Sequence, residues 1–188
     1  MCQLSKEKRM IYRFKIHNII LTVELSDSVL AHFNQHAQHS DASPEAGGQL
    51  FANITEEGCH WFVSSATGPR PSDHRSRFFF NPDRRIERRE IKDEYEQGKH
   101  YVGDWHTHPQ QSPQPSASDT RSMGEIFEKS IHQLPGILMI IVGTHPPPDG
   151  VWVSMHSSLG MALPLPSLSV PDSNQALPKT EVPRASEN

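Results

Sequence analysis

Residues 103–119 read GDWHTHPQQSPQPSASD, and this stretch connects a predicted strand to a predicted helix. Residues 101–108, YVGDWHTH, are predicted to form a strand, which Pro109 ends because proline has no N–H to donate to a sheet. Residues 117–133 carry apolar side chains at helical spacing and are predicted to form a helix. A strand, a proline-rich loop and a helix therefore follow one another, with polar residues at both junctions.

Two histidines, His106 and His108, lie one residue apart in the predicted strand. Residues i and i+2 of a strand point to the same face, so the two imidazoles could reach one metal ion. Alternatively, they are partly buried histidines of no special function, since the chain contains twelve histidines. The pair alone leaves both interpretations open.

Ser116 and Asp119 stand at the start of the predicted helix. The pattern Ser-x-x-Asp is typical of a capping box, which explains both residues without a metal. A carboxylate held at that helix start could also complete a set of two histidines and one acid. Three such ligands would leave the fourth position of a zinc ion open for water, as in a catalytic site. Zinc would lower the pKa of that water to about 7 and so supply hydroxide at neutral pH.

A hydrolytic metal site also needs a general base, which is a carboxylate close to the attacking water. Glu45 is the best local candidate. It lies in SPEAGGQL, residues 43–50, where Gly47 and Gly48 let the backbone approach another segment closely. The alternative is an ordinary acidic residue on an exposed loop.

Outside this stretch, segments rich in aromatic and β-branched residues alternate with segments of helical spacing. Strands are predicted within 12–24, 49–54, 60–66, 77–81, 136–144 and 151–156, and helices within 26–39 and 83–98. The apolar run GILMIIVGT, residues 136–144, predicts a strand that is covered on both faces. Together these elements predict an α/β (α+β) fold with a mixed β-sheet flanked by helices.

The composition, 35% hydrophobic and 21% charged over 188 residues, is typical of a soluble single-domain protein. A formal net charge of −4 argues against nucleic acid as a partner, and no apolar run is long enough to cross a bilayer. The two cysteines do not form a Cys-x-x-Cys pair, and the N-terminus lacks the apolar segment of a signal peptide. We therefore expect a cytoplasmic protein with free thiols.

The chain is predicted to consist of one domain with two extensions. Residues 1–11 would be an N-terminal extension and residues 12–163 the folded domain. Residues 164–188 repeat Pro and Ser without periodicity, which predicts a disordered tail. Arg70, Arg75, Arg77, Arg84 and Arg85 could guide an acidic partner or simply be solvated, and the sequence leaves this open.

The polar residues taken together resemble the signature of the JAMM (also MPN+) zinc metalloproteases. That signature is an upstream glutamate, His-x-His, seven residues, serine, two residues and aspartate. Here Glu45 precedes HTH at 106–108, followed by PQQSPQP, Ser116 and Asp119. The blocks SPEAGGQLF and GDWHTHP also look like the family's surrounding segments, and the likeness extends over residues 12–158.

This resemblance implies a JAMM/MPN fold, a sandwich similar to that of cytidine deaminases. It implies that His106, His108 and Asp119 bind Zn²⁺, that Glu45 is the general base for the zinc-bound water, and that Ser116 hydrogen-bonds the oxyanion. It further implies cleavage of peptide or isopeptide bonds that follow the C-terminus of a conjugated protein.

A finer likeness lies in ATGPRPSDHRSRFFFNPD, residues 66–83, which is similar to a segment of the deconjugating proteases of CBASS anti-phage operons. It implies that the substrate is a cGAS-like nucleotidyltransferase, conjugated by an E1–E2-like protein. Two alternatives stay open: a JAMM peptidase that trims ubiquitin-like or sulfur-carrier proteins, and a non-catalytic MPN scaffold. A zinc deaminase is excluded because the chain has no Pro-Cys-x-x-Cys segment.

Overall fold

The computed structural model describes residues 10–166, which form a large mixed sheet with helices on both faces. The strands are β1 Met10–Ile16, β2 Ile19–Leu25, β3 Gly47–Ile54, β4 His60–Ala66, β5 His74–Ser76, β6 Phe79–Asn81, β7 His100–Thr107, β8 Ile137–Val142, β9 Val151–Ser157 and β10 Gly160–Ala162. The helices are α1 Asp27–His36, α2 Arg84–Glu96 and α3 Ala117–Lys129.

Eight strands form the main sheet in the order β1-β2-β4-β3-β7-β8-β9-β10, while β5 and β6 form a separate hairpin. The pairs β2–β4 and β7–β8 are parallel, and the other neighbours are antiparallel. The predicted α/β class with a mixed sheet is therefore confirmed. No helix within residues 10–166 is long and apolar enough to cross a membrane.

Strand β8 shows how the sheet is covered. All six of its residues are buried, as the continuous apolar run predicted. Leu138 and Ile140 belong to the larger core, which includes Phe33 of α1. Ile137 and Met139 belong to a smaller core beneath α3. Helix α1 therefore covers one face of the sheet and α3 covers the other.

Several elements differ from the predictions. Helix α3 ends at Lys129, because Ser130 adopts an extended conformation and Ile131 points into solvent. Of the predicted strand over 77–81 only Phe79–Asn81 is a strand, β6, and it pairs with β5 in the segment predicted as a loop. The short strand β10 was not predicted, and it pairs with the end of β9.

The close approach predicted for the Gly47–Gly48 segment is present at the start of β3. A Cβ atom added to Gly48 would lie 1.9 Å from the carbonyl oxygen of Thr67, so only glycine fits beside this backbone. The predicted boundaries of the domain, 12 and 163, remain a proposal: the elements run from Met10 to Ala162. Residues 1–9 and 167–188, which include nearly all of the predicted tail, lie outside the described residues.

Candidate metal centre

The two histidines lie at the carboxyl end of β7 or just beyond it, and their Nε2 atoms are 3.2 Å apart. Both rings are largely buried, with 15% and 18% of the side chains of His106 and His108 exposed. Thr107, between them, is fully buried, and its hydroxyl donates a hydrogen bond to Gln38 just after α1. The two imidazoles therefore share one face, as the spacing predicted.

Asp119 in the first turn of α3 faces these rings. Its carboxylate oxygens lie 3.7 Å from Nε2 of His106 and 3.6 Å from Nε2 of His108. The capping box is also present, because Ser116 Oγ accepts from the Asp119 N–H and the Asp119 carboxylate accepts from the Ser116 N–H. Burial acts to raise the pKa of Asp119, but the hydrogen bonds from His106 and Ser116 hold it below its usual value. One aspartate thus both caps the helix and faces the histidines.

Glu45 reaches the same place because of the register between β3 and β7. Gly47 is paired with His106, so the chain just before β3 runs beside the histidines. The Glu45 carboxylate offers an oxygen within 4.8 Å of ring nitrogens of both His106 and His108. Burial raises the pKa of Glu45 to about 7, against the opposing effect of His106 and with a further increase due to Asp119. A group with this pKa can accept and release a proton at neutral pH.

The donor set fits a zinc ion. Ligand atoms bonded to one tetrahedral zinc ion at about 2.0–2.1 Å lie about 3.3–3.4 Å apart. The distances of 3.2, 3.6 and 3.7 Å among His106, His108 and Asp119 are close to this spacing. Two ring nitrogens and an ionised carboxylate also match the ligand chemistry of zinc sites.

Ser116 is placed at the edge of this cluster by its role in α3. Its hydroxyl accepts from the Asp119 N–H and lies 2.8 Å from Oγ of Ser118. The structure thus brings Glu45, His106, His108 and Asp119 together, and the Ser116 N–H donates to the carboxylate that faces the histidines. The individual roles of these five residues remain a proposal.

Sequence reasoning missed the polar contacts behind the site. The Thr107 hydroxyl accepts a hydrogen bond from the Ala46 N–H at 2.9 Å and donates one to Gln38 Oε1 at 3.0 Å. Gln38 is 69 residues away from Thr107 in the chain, so no local pattern relates the two. The only available signal was a threonine two residues after Trp105, on the same buried face of the predicted strand.

The family of the chain follows from a match over residues 26–155 to the family described as prokaryotic homologs of the JAB domain. This match spans more than half of the chain, and the chain belongs to this family. The predicted resemblance to the JAMM/MPN (JAB) family is therefore confirmed.

Curated relatives point to one kind of enzyme. The chain is 32% identical over 128 residues to the "CD-NTase/cGAS isopeptidase" of Pseudomonas aeruginosa, covering 63% of this chain and 76% of that protein. It is 31% identical over 147 residues to the protein of the same name from Enterobacter hormaechei subsp. hoffmannii, covering 76% and 81%. It is also 39% identical over 72 residues to "Probable metalloprotease y4qB" of Sinorhizobium fredii, covering 36% and 44%. The predicted likeness to bacterial deconjugating proteases is confirmed at this level.

Proposed function

We propose that this protein is a zinc-dependent isopeptidase that releases a cGAS-like nucleotidyltransferase from a target to which its C-terminus is joined. The observation that carries the proposal is the convergence of Asp119 and Glu45 on the paired histidines. The names of the relatives from Pseudomonas and Enterobacter support the choice of bond and substrate.

In this proposal His106, His108 and Asp119 hold the zinc ion. The ion would supply a Lewis acid and a water molecule of lowered pKa. Glu45 accepts the proton of the attacking water and passes it to the leaving amine, which suits a half-buried carboxyl beside both histidines. The Ser116 hydroxyl donates a hydrogen bond to the oxyanion that develops on the scissile carbonyl.

The surroundings of the site suit a protein substrate. Phe78 and Phe79, in the β5–β6 hairpin, are 74% and 54% exposed. The hairpin lies directly beside the base, since the Glu45 N–H donates to the Ser76 carbonyl at 2.7 Å. Exposed aromatic side chains next to a catalytic group can hold the tail of a partner protein. The formal net charge of −4 supports a protein partner rather than nucleic acid.

The conjugate itself would be made by an E1–E2-like protein, which we propose as the functional partner. We place the reaction in the cytoplasm. The free thiol of Cys59 supports a reducing compartment. The cleavage would regulate anti-phage signalling by determining how much nucleotidyltransferase remains attached to its target.

Intact-mass analysis of a cleavage reaction tests the proposal. The substrate is a cGAS-like nucleotidyltransferase from the same operon with its C-terminus fused to a reporter. Wild type is compared with Glu45→Ala and with a chelator-treated sample whose activity is then restored with Zn²⁺. The expected result is one cut after the last residue of the nucleotidyltransferase, absent from both controls.

The other outcomes separate the alternatives. Cleavage of a ubiquitin-like or sulfur-carrier fusion, with the nucleotidyltransferase fusion left intact, would refute the substrate and retain the peptidase. A wild-type protein that cleaves none of these fusions, although it binds zinc, would favour a scaffold that uses the fold without catalysis.

A further inference from the structure

The segment that carries Glu45 is held in place from behind by one buried side chain. Gln38 lies just after α1 and is 3% exposed. Its Nε2 donates to the carbonyl oxygens of Ser43 at 3.1 Å and Arg77 at 2.9 Å. Its Oε1 accepts from the hydroxyl of Thr107 at 3.0 Å. One amide thus joins three separate segments of the chain.

The orientation of this amide is determined by its neighbours. Both hydrogens of the Gln38 NH₂ group meet carbonyl oxygens, while its oxygen meets a hydroxyl. A flipped amide would turn its oxygen towards two carbonyl oxygens and its NH₂ group towards Thr107, and the bonds to Ser43 and Arg77 would be lost. The polar groups of Gln38 are therefore well satisfied, and the amide has one favourable position.

The same contacts enclose Glu45 on both sides. Ser43, two residues before it, is held by Gln38, and Ala46, one residue after it, donates its N–H to Thr107. Thr107 also donates its own N–H to the Ala46 carbonyl at 2.8 Å. Thr107 stands between the two histidines, so the chain of bonds ties the base segment directly to the strand that carries the imidazoles.

The hairpin provides a third anchor. The Glu45 N–H donates to the carbonyl of Ser76, and the next residue, Arg77, gives its carbonyl to Gln38. The position of the Glu45 backbone relative to His106 and His108 is thereby determined by contacts that touch neither the metal ligands nor the substrate.

We propose that Gln38 is a positioning residue: through Thr107, Ser43 and Arg77 it sets the place of the Glu45 carboxylate relative to His106 and His108. The inference rests on the proposed function, because its kinetic consequence depends on Glu45 acting as the base. A misplacement of about 1 Å at a reacting group can cost about a hundredfold in rate. Loss of the Gln38 amide therefore reduces kcat, while zinc and substrate are still bound.

The test compares Gln38→Met with Gln49→Met in the full-length, zinc-loaded protein. Gln49 is 4% exposed, so both changes replace a buried glutamine by an apolar side chain of similar length. For Gln38→Met we expect a kcat about 10- to 100-fold lower, an unchanged KM and full zinc content. For Gln49→Met we expect kcat to stay near the wild-type value. An equal fall in kcat for both variants would overturn the inference.

A second pair of variants tests the same chain of bonds at Thr107 should Gln38→Met fail to fold. Thr107→Ser keeps the hydroxyl and should retain activity, whereas Thr107→Val removes it and should reproduce the loss of kcat. The double variant Gln38→Met/Thr107→Val should be no slower than the slower single variant, because both act through one network. Losses of kcat that multiply would show independent roles and refute the proposal.

Hydrogen–deuterium exchange separates this inference from the proposed function, since it needs no substrate. The amides of Glu45 and Ala46 should exchange faster in Gln38→Met than in Gln49→Met, with or without zinc. Unchanged exchange at these two amides would refute the positioning role even in an active isopeptidase. If the wild-type protein cleaves nothing but the two variants show the expected difference in exchange, the proposed function is refuted and the positioning role stands.

Discussion

Arg70 should be among the most important charged residues for stability, although the sequence left open whether it meets a partner or solvent. Only 6% of its side chain is exposed. Its guanidinium forms a two-pronged bond with Glu90 of α2, in which Nε lies 2.8 Å from Oε1 and Nη2 bonds to Oε2. Burial acts to lower the pKa of Arg70, but Glu90, Asp73 and Glu87 raise it overall. The pair connects the loop after β4 to α2.

The cost of removing Arg70 can be worked out from its partners. Removal of one member of a buried ion pair typically costs about 3–5 kcal/mol, because the other charge stays buried without a partner. Glu90 is 22% exposed and keeps some water, Glu87 retains Arg84 at 2.8 Å, and the Asp73 carboxylate keeps the backbone N–H groups of residues 70 and 83. We therefore expect Arg70→Met to lower the free energy of unfolding by about 3 kcal/mol, the lower end of this range. In a chain of this size that corresponds to a fall in Tm of about 6–12 °C.

Urea denaturation of four proteins measures this effect: wild type, Arg70→Met, Glu90→Met and the double variant. The double variant should recover part of the loss, since it also removes the charge of Glu90, while the buried Asp73 still lacks its neighbouring guanidinium. Lys92→Met is the surface control, because its pair with Glu96 is largely exposed and should contribute less than about 0.5 kcal/mol. A loss below about 1 kcal/mol for Arg70→Met, or a double variant as unstable as the sum of its singles, would refute the reasoning.

Three further predictions concern the site and its support. Asp119→Ala should lose most of the bound zinc, measured by metal analysis after dialysis, because a charged ligand is removed; full zinc retention would exclude Asp119 as a ligand. Glu45→Gln should keep its zinc but lower kcat about 10²- to 10⁴-fold, because the proton acceptor is lost; near-normal turnover would point to another base. Gly48→Ala should lower the free energy of unfolding by about 1–3 kcal/mol, because the new Cβ would lie 1.9 Å from the Thr67 oxygen. Urea denaturation measures this change, and wild-type stability would show that the two backbones can separate freely.

Matched variants control two of these predictions. Asp119→Asn keeps an oxygen that can accept from the Ser116 N–H, so a loss of zinc in this variant comes from the missing charge rather than from an unravelled helix. Gly124→Ala lies within α3, where an added Cβ has no atom within 4 Å, and it should stabilise the helix by about 0.5–1 kcal/mol. The contrast between the two glycines isolates the steric effect at Gly48.

The parts of the fold that were predictable are those with a local signal. The apolar run of β8, the capping box of α3 and the i, i+2 spacing of the histidines each depend on residues close together in the chain. The strands of three residues carry no readable period, so β5 and β10 were missed. The pairs Gln38–Thr107 and Arg70–Glu90 join residues 69 and 20 positions apart, and only the assembled fold brings them into contact.

The spacing of the histidines places both on one face of the sheet. A β-bulge in β7 helps to decide whether that is the face covered by α1 or the face covered by α3. The pairing of β7 with β3 shifts between Leu50 and Phe51, opposite Gly103 and Tyr101. The Tyr101 hydroxyl donates to the Asp104 carboxylate at 3.0 Å, although residues i and i+3 of a regular strand point to opposite faces. The extra residue has therefore reversed the alternation, and Asp104, His106 and His108 now follow the face of Tyr101.

Gly103 makes this reversal possible. Its φ of +147° is one that other residues rarely adopt, and a Cβ atom there would lie 2.0 Å from the Leu138 oxygen. Without the bulge, His106 would point towards α1 and Thr107 towards α3. The face that carries Asp119 would then receive a hydroxyl in place of two imidazoles. The ligand motif thus specifies the chemistry of the site, and the glycine just before it in GDWHTH directs that chemistry to the correct side of the sheet.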